Sequence, residues 1–391
     1  MDISSSISNI STIIVAIVHI TTLILLPLLS IRVFRNLHFL WTNQRLRVFQ
    51  QDYPRVSVLV PARNEADNIT ACLESLVQQD YPNYEIYVLD DQSTDNTLEK
   101  IQQLAIKHPS IHILQGDSAP PPDWNGKSYA CHRLSEQADG EWLLFTDADT
   151  WHTPQSIRLG IRQAQHLDID LLSAMPRQIT KTWSEWILVS FIMDFLPILG
   201  IDFKQMWRGQ GSYAIANGQY LLVRQSAYHK LGGHNAIHHA MVDDFALANH
   251  FMQGNSTIAF VSGTSMLACR MYHQPKEVWQ GFSKNIVLSL QTSKQWSVGS
   301  VALFVWCYIS VLVLPYVIVI FHPEKWLALI AILWLMALRL TVGVVIRRPF
   351  IEATLTVFSA LGVMLLGLYA ISLKLRKQRI LWKDRPYSTN Q

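Results

Sequence analysis

Four apolar runs of about twenty residues, one near the start and three crowded towards the end, limit what this 391-residue chain can fold into. They are Ile13–Val33, uncharged until Arg32, then Ser300–Phe321, Trp326–Ile346 and Ala353–Leu373. Each is long enough to cross a bilayer, which takes roughly 20 residues. The first run makes a poor signal peptide: it lacks a basic leader, is too long for an h-region, and no A-x-A site follows. The chain therefore divides into an anchor with a basic juxtamembrane segment (1–50), a domain of soluble composition (54–290), transmembrane helices (295–375) and a polar tail (376–391).

Charge gives this frame a direction. The net charge is only +3, so there is no nucleic-acid footprint and no nucleic-acid partner is expected. Positive residues instead gather beside the apolar runs: Arg32, Arg35, Arg45 and Arg47, then Arg347-Arg348, then Lys374, Arg376, Lys377, Arg379 and Lys383. The positive-inside rule assigns all three clusters to the cytoplasm, which four crossings cannot satisfy. One C-terminal run is thus expected to be re-entrant or interfacial. Arg339 makes Trp326–Ile346 the least regular, and Glu352 weakens the start of the last run. The runs carry too few polar groups to line a transport path. Cys72, Cys131, Cys269 and Cys307 show no paired spacing and read as reduced, structural residues.

The middle of the chain alternates strand and helix signals. Val56–Val60 is a strand ending at Pro61, followed by a helix capped at Asn64 or Asp67 and running to about Gln79. Glu85–Leu89 is a second strand that runs into Asp90-Asp91, and Ser93-Thr-Asp95 caps the next helix. Ile111–Leu114 is a third strand, Lys127–Gln137 a helix and Trp142–Phe145 a fourth strand, followed by Asp147-Ala-Asp149. This alternation predicts an α/β fold with a doubly wound, mostly parallel sheet. Acids at the C-terminal ends of such strands lie where these sheets bind ligands, and two clusters suggest a metal, a polyphosphate or both. Trp183–Ile201, apolar and aromatic with only Glu185 and Asp194 charged, reads as a helix in the membrane interface, with a buried core helix as the alternative.

Val58-Leu-Val-Pro-Ala-Arg-Asn-Glu65, Asp90-Asp-Gln-Ser-Thr-Asp95 and Asp147-Ala-Asp149 (a DxD motif) together resemble the family 2 glycosyltransferases of GT-A fold, from Arg55 to near Asn285. The resemblance implies a nucleotide-sugar donor, UDP- or GDP-hexose. It assigns Asp149 to Mg2+ or Mn2+, Asp147 to the ribose or sugar, and Asp90, Glu65 and Asp91 to the base and ribose. A hard dication held by carboxylates is what a departing diphosphate requires. Trp124-Asn-Gly-Lys127-Ser-Tyr-Ala resembles the family's G-K-x-x-A segment, whose Lys127 reaches a phosphate. Asp95 reads equally as a helix cap.

Met241-Val-Asp243-Asp244 matches the family's general-base position, with Asp244 as the base and Asp243 second. Adjacent acids raise one another's pKa, which suits a base. Such a base would deprotonate an acceptor hydroxyl in an inverting transfer. His234, His238 and His239 lack the helical H-x-x-x-H pattern and have no cysteine near them in sequence, so a zinc reading is weak. The Q-x-x-R-W motif of processive members is missing, where Arg270-Met-Tyr272 and Trp279-Gln-Gly-Phe-Ser-Lys284 stand instead. That implies a single transfer, with Arg270, Tyr272 and Lys284 available to the diphosphate or acceptor.

Trp124–Ala130, Val242-Asp-Asp, Arg270-Met-Tyr and Trp382-Lys-Asp-Arg resemble the carotenoid glycosyltransferases of diaponeurosporenoate and myxoxanthophyll type and the hopene-associated transferases. The expected protein is a membrane-bound enzyme with a cytoplasmic catalytic domain, moving one hexose to a lipid hydroxyl, most plausibly a carotenoid. Rival acceptors are a hopanoid, a diacylglycerol or a polyprenyl phosphate. A non-catalytic membrane-anchored sugar-nucleotide binder is the rival of another class, and Asp149 and Asp244 speak against it.

Overall fold

The computed structural model describes residues 3–44, 52–116, 119–292, 298–323, 325–376, 380–382 and 385–387. The basic residues Arg45, Arg47, Lys377, Arg379 and Lys383, and Lys383-Asp384 of the late motif, lie outside them.

In chain order, the long helix α1 (Ile3–Gln44) leads to β1 (Val56–Ala62), α2 (Ile69–Val77), β2 (Tyr84–Asp90), α3 (Thr97–Lys107) and β3 (Ile111–Gln115). α4 (Gly126–Gln137), β4 (Trp142–Phe145), β5 (Thr150–His152), α5 (Ser156–Leu167) and β6 (Leu171–Gln178) follow. Two π-helical stretches, Glu185–Val189 and Phe191–Phe195, precede the short α6 (Leu196–Gly200) and α7 (Phe203–Trp207). Then come β7 (Leu221–Arg224), α8 (Gln225–Lys230), α9 (Gly233–Ala236), α10 (Asp243–Gln253), β8 (Ile258–Cys269) and α11 (Pro275–Thr292). The C-terminal part holds α12 (Val298–Leu312), α13 (Leu314–Phe321), α14 (Trp326–Val345), α15 (Ile351–Thr354) and α16 (Thr356–Leu375), then a hairpin of β9 (Ile380–Trp382) and β10 (Arg385–Tyr387).

Eight strands form one sheet in the order β3-β2-β1-β4-β7-β6-β8-β5. The first four are parallel, as the strand–helix alternation predicts. Beyond β4 the sheet is mixed, because β7 pairs antiparallel with both β4 and β6, while β6 and β8 run parallel. Pro61 does not end β1 as expected. Its missing N–H is tolerated because β4 pairing stops at Leu59, leaving only the β2 side at that level. Asp90 is the last residue of β2, opposite Ala62, so its carboxyl stands at the carboxyl edge of the sheet.

Three helices are long and apolar enough to cross a membrane: Thr12–Asn43 of α1, Trp326–Val345 and Thr356–Leu373. The run Ser300–Phe321 is broken at Val313, just before Pro315, into α12 and α13. Arg339, the charge that makes this run the least regular in sequence, sits inside the continuous helix α14. Its guanidinium is buried and donates to Ser359 Oγ (2.9 Å), Ser190 Oγ (3.1 Å) and Thr356 Oγ1 (3.3 Å), so the helix remains regular.

α1 packs on α12 through Thr22 Oγ1, which donates to the Ser310 carbonyl (3.2 Å), and on α14 through Ser30 Oγ, which accepts from Trp334 Nε1 (3.0 Å). Its later turns leave these helices for the sheet domain. Asn36 donates to the Ile198 carbonyl (2.7 Å) and accepts from Phe203 N–H (3.1 Å), and Arg35 pairs with Asp202 at 3.0 Å. Val33, Leu37 and Leu40 share a core with Leu59, Leu143 and Phe260 of the sheet and with Leu335 of α14.

Trp183–Ile201 bends through its two π stretches and buries Leu188, Phe191, Phe195 and Ile198, while Trp183 stays exposed. Both of its acids are buried ion-pair partners. Glu185 accepts from Arg270, and Asp194 accepts from Arg348 just after α14.

Candidate active site

The loops after β1, β2 and β4 meet at the carboxyl edge. After β1, Asn64 takes a left-handed conformation (φ 51°), which asparagine tolerates, and its side chain accepts from Thr94 N–H at 2.8 Å. Glu65 accepts from Asn68 Nδ2 (2.9 Å), and its own N–H donates to Thr97 Oγ1 (2.8 Å). After β2, Asp90 is buried. One carboxylate oxygen accepts from Ser93 N–H at 3.2 Å, and the other, Oδ1, is buried without a hydrogen-bond partner. A buried acceptor costs free energy until something donates to it, so Asp90 is poised for an N–H or O–H of a ligand. Asp91 is buried beside it, its N–H donating to the Ala62 carbonyl (2.8 Å). Asp95 behaves as a cap and brace, accepting from Thr97 N–H (3.0 Å) and Ala66 N–H (3.2 Å).

The acids converge around two buried thiols. Burial pushes the Cys72 thiol up to about 12, and the charges of Asp149, Glu65 and Asp147 push the same way. Cys269 is raised by burial and then by Asp149 and Asp147. Three carboxylates from two loops, Glu65 after β1 and Asp147 and Asp149 after β4, thus lie within electrostatic reach of the Cys72 thiol. Such hard oxygen donors are of the kind that suits a hard dication, Asp149 being the one expected from sequence to hold it.

Asn125 caps α4, its side-chain oxygen accepting from Lys127 N–H at 3.1 Å, and that cap aims Lys127 into the site. Lys127 Nζ lies 2.6 Å from Asp147 and 3.8 Å from Asp243. Burial alone would lower its pKa, but Asp147 and Asp243 outweigh that and hold the ammonium charged well above its usual range. Lys127 therefore joins the DxD loop to the acidic pair at the head of α10. A β-carbon on Gly218 would sit 3.0 Å from Lys127 Nζ, so the glycine leaves this approach open.

Asp243 and Asp244 open α10, where the helix dipole favours negative charge. Asp244 accepts from Gly218 N–H (2.9 Å) and Phe245 N–H (2.8 Å). Burial first, and the Asp243 charge second, raise its carboxyl to about 6 against these donors and Lys127. Asp243 is buried beside Cys131 and His234, a ligand atom of each lying within 4.8 Å of the others. Burial holds the His234 imidazole down at about 4, and Tyr228 O–H meets its Nδ1 at 2.8 Å. His238 lies apart, against Trp124 (centroids 5.3 Å). A cysteine does therefore stand by His234, brought from α4 by folding, but the three histidines form no common cluster.

A small cleft links these groups, lined by Lys127, Thr146, Asp147, Gly218, Asp243 and Asp244 among others. Of the residues singled out from sequence, Asp147, Lys127, Asp243 and Asp244 meet here, with Glu65, Asp90, Asp91 and Asp149 on the adjoining loops. Arg270 forks onto Glu185 (2.9 and 3.3 Å). Tyr272 packs with Phe282 and Leu366 and lies close enough to feel the Asp149 charge. Gly218 and Asn125 were not singled out for roles. Their contributions are a backbone N–H and a cap, which leave little trace in sequence.

Glycosyl transferase family 2 is the family whose sequence model matches, over residues 57–232. Two 4,4'-diaponeurosporenoate glycosyltransferases of Staphylococcus aureus strains USA300 and MRSA252 are 24% and 26% identical over 262 residues, 64% of this chain and 68% of theirs. A mannosyltransferase of Pyrobaculum calidifontis, solved with GDP-mannose and Mn2+, superposes with a TM-score of 0.47 at 17% identity, covering 88% of this chain and 99% of that one. Residues 57–232 match the family 2 glycosyltransferases, and the chain that carries them is a glycosyltransferase resembling the carotenoid glycosyltransferases.

Proposed function

We propose that the protein moves a single hexose from a UDP- or GDP-sugar to the hydroxyl of a membrane lipid, with inversion, and that the acceptor is a carotenoid. The carrying observation is Asp244, a carboxylate raised to about 6 that opens onto the pocket shared with Asp147 and Lys127. A base near neutrality takes a proton from a hydroxyl while remaining mostly ionised at cellular pH. In this reading Asp244 accepts the acceptor's proton as its oxygen attacks the anomeric carbon. Gly218 N–H keeps the carboxylate oriented. Asp90, Asp91 and Glu65 accept from the base and ribose.

Asp149 would hold Mg2+ or Mn2+, which would neutralise diphosphate charge and so help the nucleotide leave, with Asp147 on the donor ribose or sugar. Lys127 exchanges Asp147 for a diphosphate oxygen. Arg270, taken up by buried Glu185, supports this wall of the site instead of reaching the donor itself. The carotenoid assignment rests on the name of the S. aureus relatives and on the helices that join this domain to a bilayer.

We infer further that the catalytic domain is cytoplasmic. α1, the broken pair α12–α13 and α14 would make three crossings, with α16 lying along the interface. Several contacts support this. Val15 and Val18 meet Ile318 and Ala328 at one end of the bundle, whereas Asn36 and Arg348 reach the catalytic domain at the other. α16 packs against that domain, Leu366 on Tyr272 and Phe282, and Tyr369 on Trp279 (5.7 Å). All three basic clusters then face the cytoplasm.

Asp244→Asn tests the enzyme reading. Turnover should fall by roughly 10²–10⁴-fold, with donor affinity by calorimetry kept within about twofold. Unchanged turnover would overturn it. Profiling carotenoid glycosides by mass spectrometry in a host lacking the gene tests the acceptor, and an unaltered profile would exclude the carotenoid.

A further inference from the structure

Beside the base, two large aromatic side chains face outward. Phe245 follows Asp244 and is 43% exposed, and Tyr213 is 51% exposed at the end of the segment 208–213. Folding cores normally take such rings, and adjacent exposed ones mark binding surfaces more often than chance surface does.

Asn249 locks the two together. One helical turn after Phe245, its side chain donates to the Phe245 carbonyl (2.7 Å) and the Ala214 carbonyl (2.8 Å), and accepts from Ala214 N–H (3.0 Å). The carboxamide thus pairs with Ala214 as a strand would, and fixes Tyr213 relative to the first turn of α10. Met206 Sδ, which accepts from Ile215 N–H at 3.4 Å, holds the root of the same segment from the α7 side. Between these ties Gly209 turns the chain with φ +67°.

The segment continues directly from the anchor interface. α7 begins at Phe203, whose N–H donates to Asn36 of α1, and it ends at Trp207, whose ring lies tilted against Phe39 of α1 (6.0 Å). Segment 208–213 therefore runs from the contact with α1 to the first turns of α10, the helix that opens with Asp243 and Asp244.

We propose that Phe245 and Tyr213 form the acceptor subsite, taking the apolar chain next to the hydroxyl of a membrane-dissolved alcohol as it rises to Asp244. This rests on the transferase reading above and names which side chains select an apolar acceptor. A hydroxyl borne on hydrocarbon must bring apolar surface out of the bilayer, and burial against two rings offsets that exposure. Asn249 fixes the backbone that carries both rings, so that part of the subsite is already ordered in the absence of acceptor.

The test uses the full-length protein in vesicles, with purified nucleotide-sugar, a long-chain apolar alcohol dissolved in the bilayer, and a short water-soluble alcohol. Phe245→Ala and Tyr213→Ala should each raise KM for the bilayer alcohol on the order of tenfold, leaving donor KM and turnover of the short alcohol near the wild-type values. Phe245→Tyr and Tyr213→Phe, which keep the rings, should restore acceptor KM. Ile106→Ala, an exposed apolar side chain on α3, controls for general surface effects. An acceptor KM within twofold of wild type in both alanine variants, or donor KM rising in step with it, overturns the subsite alone. A wild-type protein that glycosylates neither alcohol while still hydrolysing donor overturns the lipid-acceptor reading, and the subsite with it.

Discussion

At the scale of single residues, Asp244 sets a measurable pH dependence. Burial and Asp243 raise its carboxyl to about 6, and in the proposed role as base it must be ionised to accept a proton. The quotient kcat/KM should therefore fall below about pH 6 with a slope of one proton, since this quantity reports the free enzyme. Asp243 adds negative charge that disfavours ionisation of Asp244. Asp243→Asn should then move the acid limb to lower pH, whatever it does to the maximal rate, and a limb that stays or rises would count against the assignment. Gly218→Ala should disturb the same centre by setting a methyl group 3.0 Å from Lys127 Nζ, and donor titrations would register it as weakened binding. Much of this site was legible beforehand, because strand-end acids such as Asp90 and Asp149 announce themselves by position. Gly218 N–H, the Asn249 clamp and Cys131 beside Asp243 were not. Each is a contact between residues remote in sequence, invisible until the chain folds.

Among the elements, the π-helical stretches between β6 and α6 depart most from expectation. In sequence Glu185 and Asp194 look like blemishes in an apolar interfacial helix. In the fold they join the wall of the catalytic domain to Arg270 and Arg348, and the surrounding apolar residues cover those pairs. Removing one member of a buried pair strands the other, typically at about 3–5 kcal/mol. Arg270→Ala should accordingly lower the melting temperature of the detergent-solubilised protein, and Glu185→Gln combined with it should recover part of the loss. Full stability in the single variant would show that the pair contributes little. The parallel strands β1 to β4 were readable from alternation alone. The antiparallel turn of β7 was not, because a short apolar strand carries no mark of its direction.

For the whole molecule, the conflict between four apolar runs and three basic clusters resolves once α16 is taken out of the bilayer crossing. Cysteine substitution tests this reading. His322→Cys, in the α13–α14 connection, should react with a membrane-impermeant maleimide added to intact cells. Leu375→Cys, at the end of α16, should react only after the membrane is opened, and the reverse pattern would invert the topology. The anchor has a mechanical consequence too. α1 spans 42 residues, about 63 Å of helix, roughly twice the hydrocarbon thickness of about 30 Å. Its upper half is built into the core of the catalytic domain through Val33, Leu37 and Leu40. On the proposed lipid acceptor, the enzyme would stand on a rigid post instead of swinging on a tether, its pocket held at one altitude over the lipid. Molecules would then be sorted by how high they carry their reactive group. A hydroxyl at the headgroup level would be served, an identical one sunk among the acyl chains passed over, and a thicker membrane would change which is which.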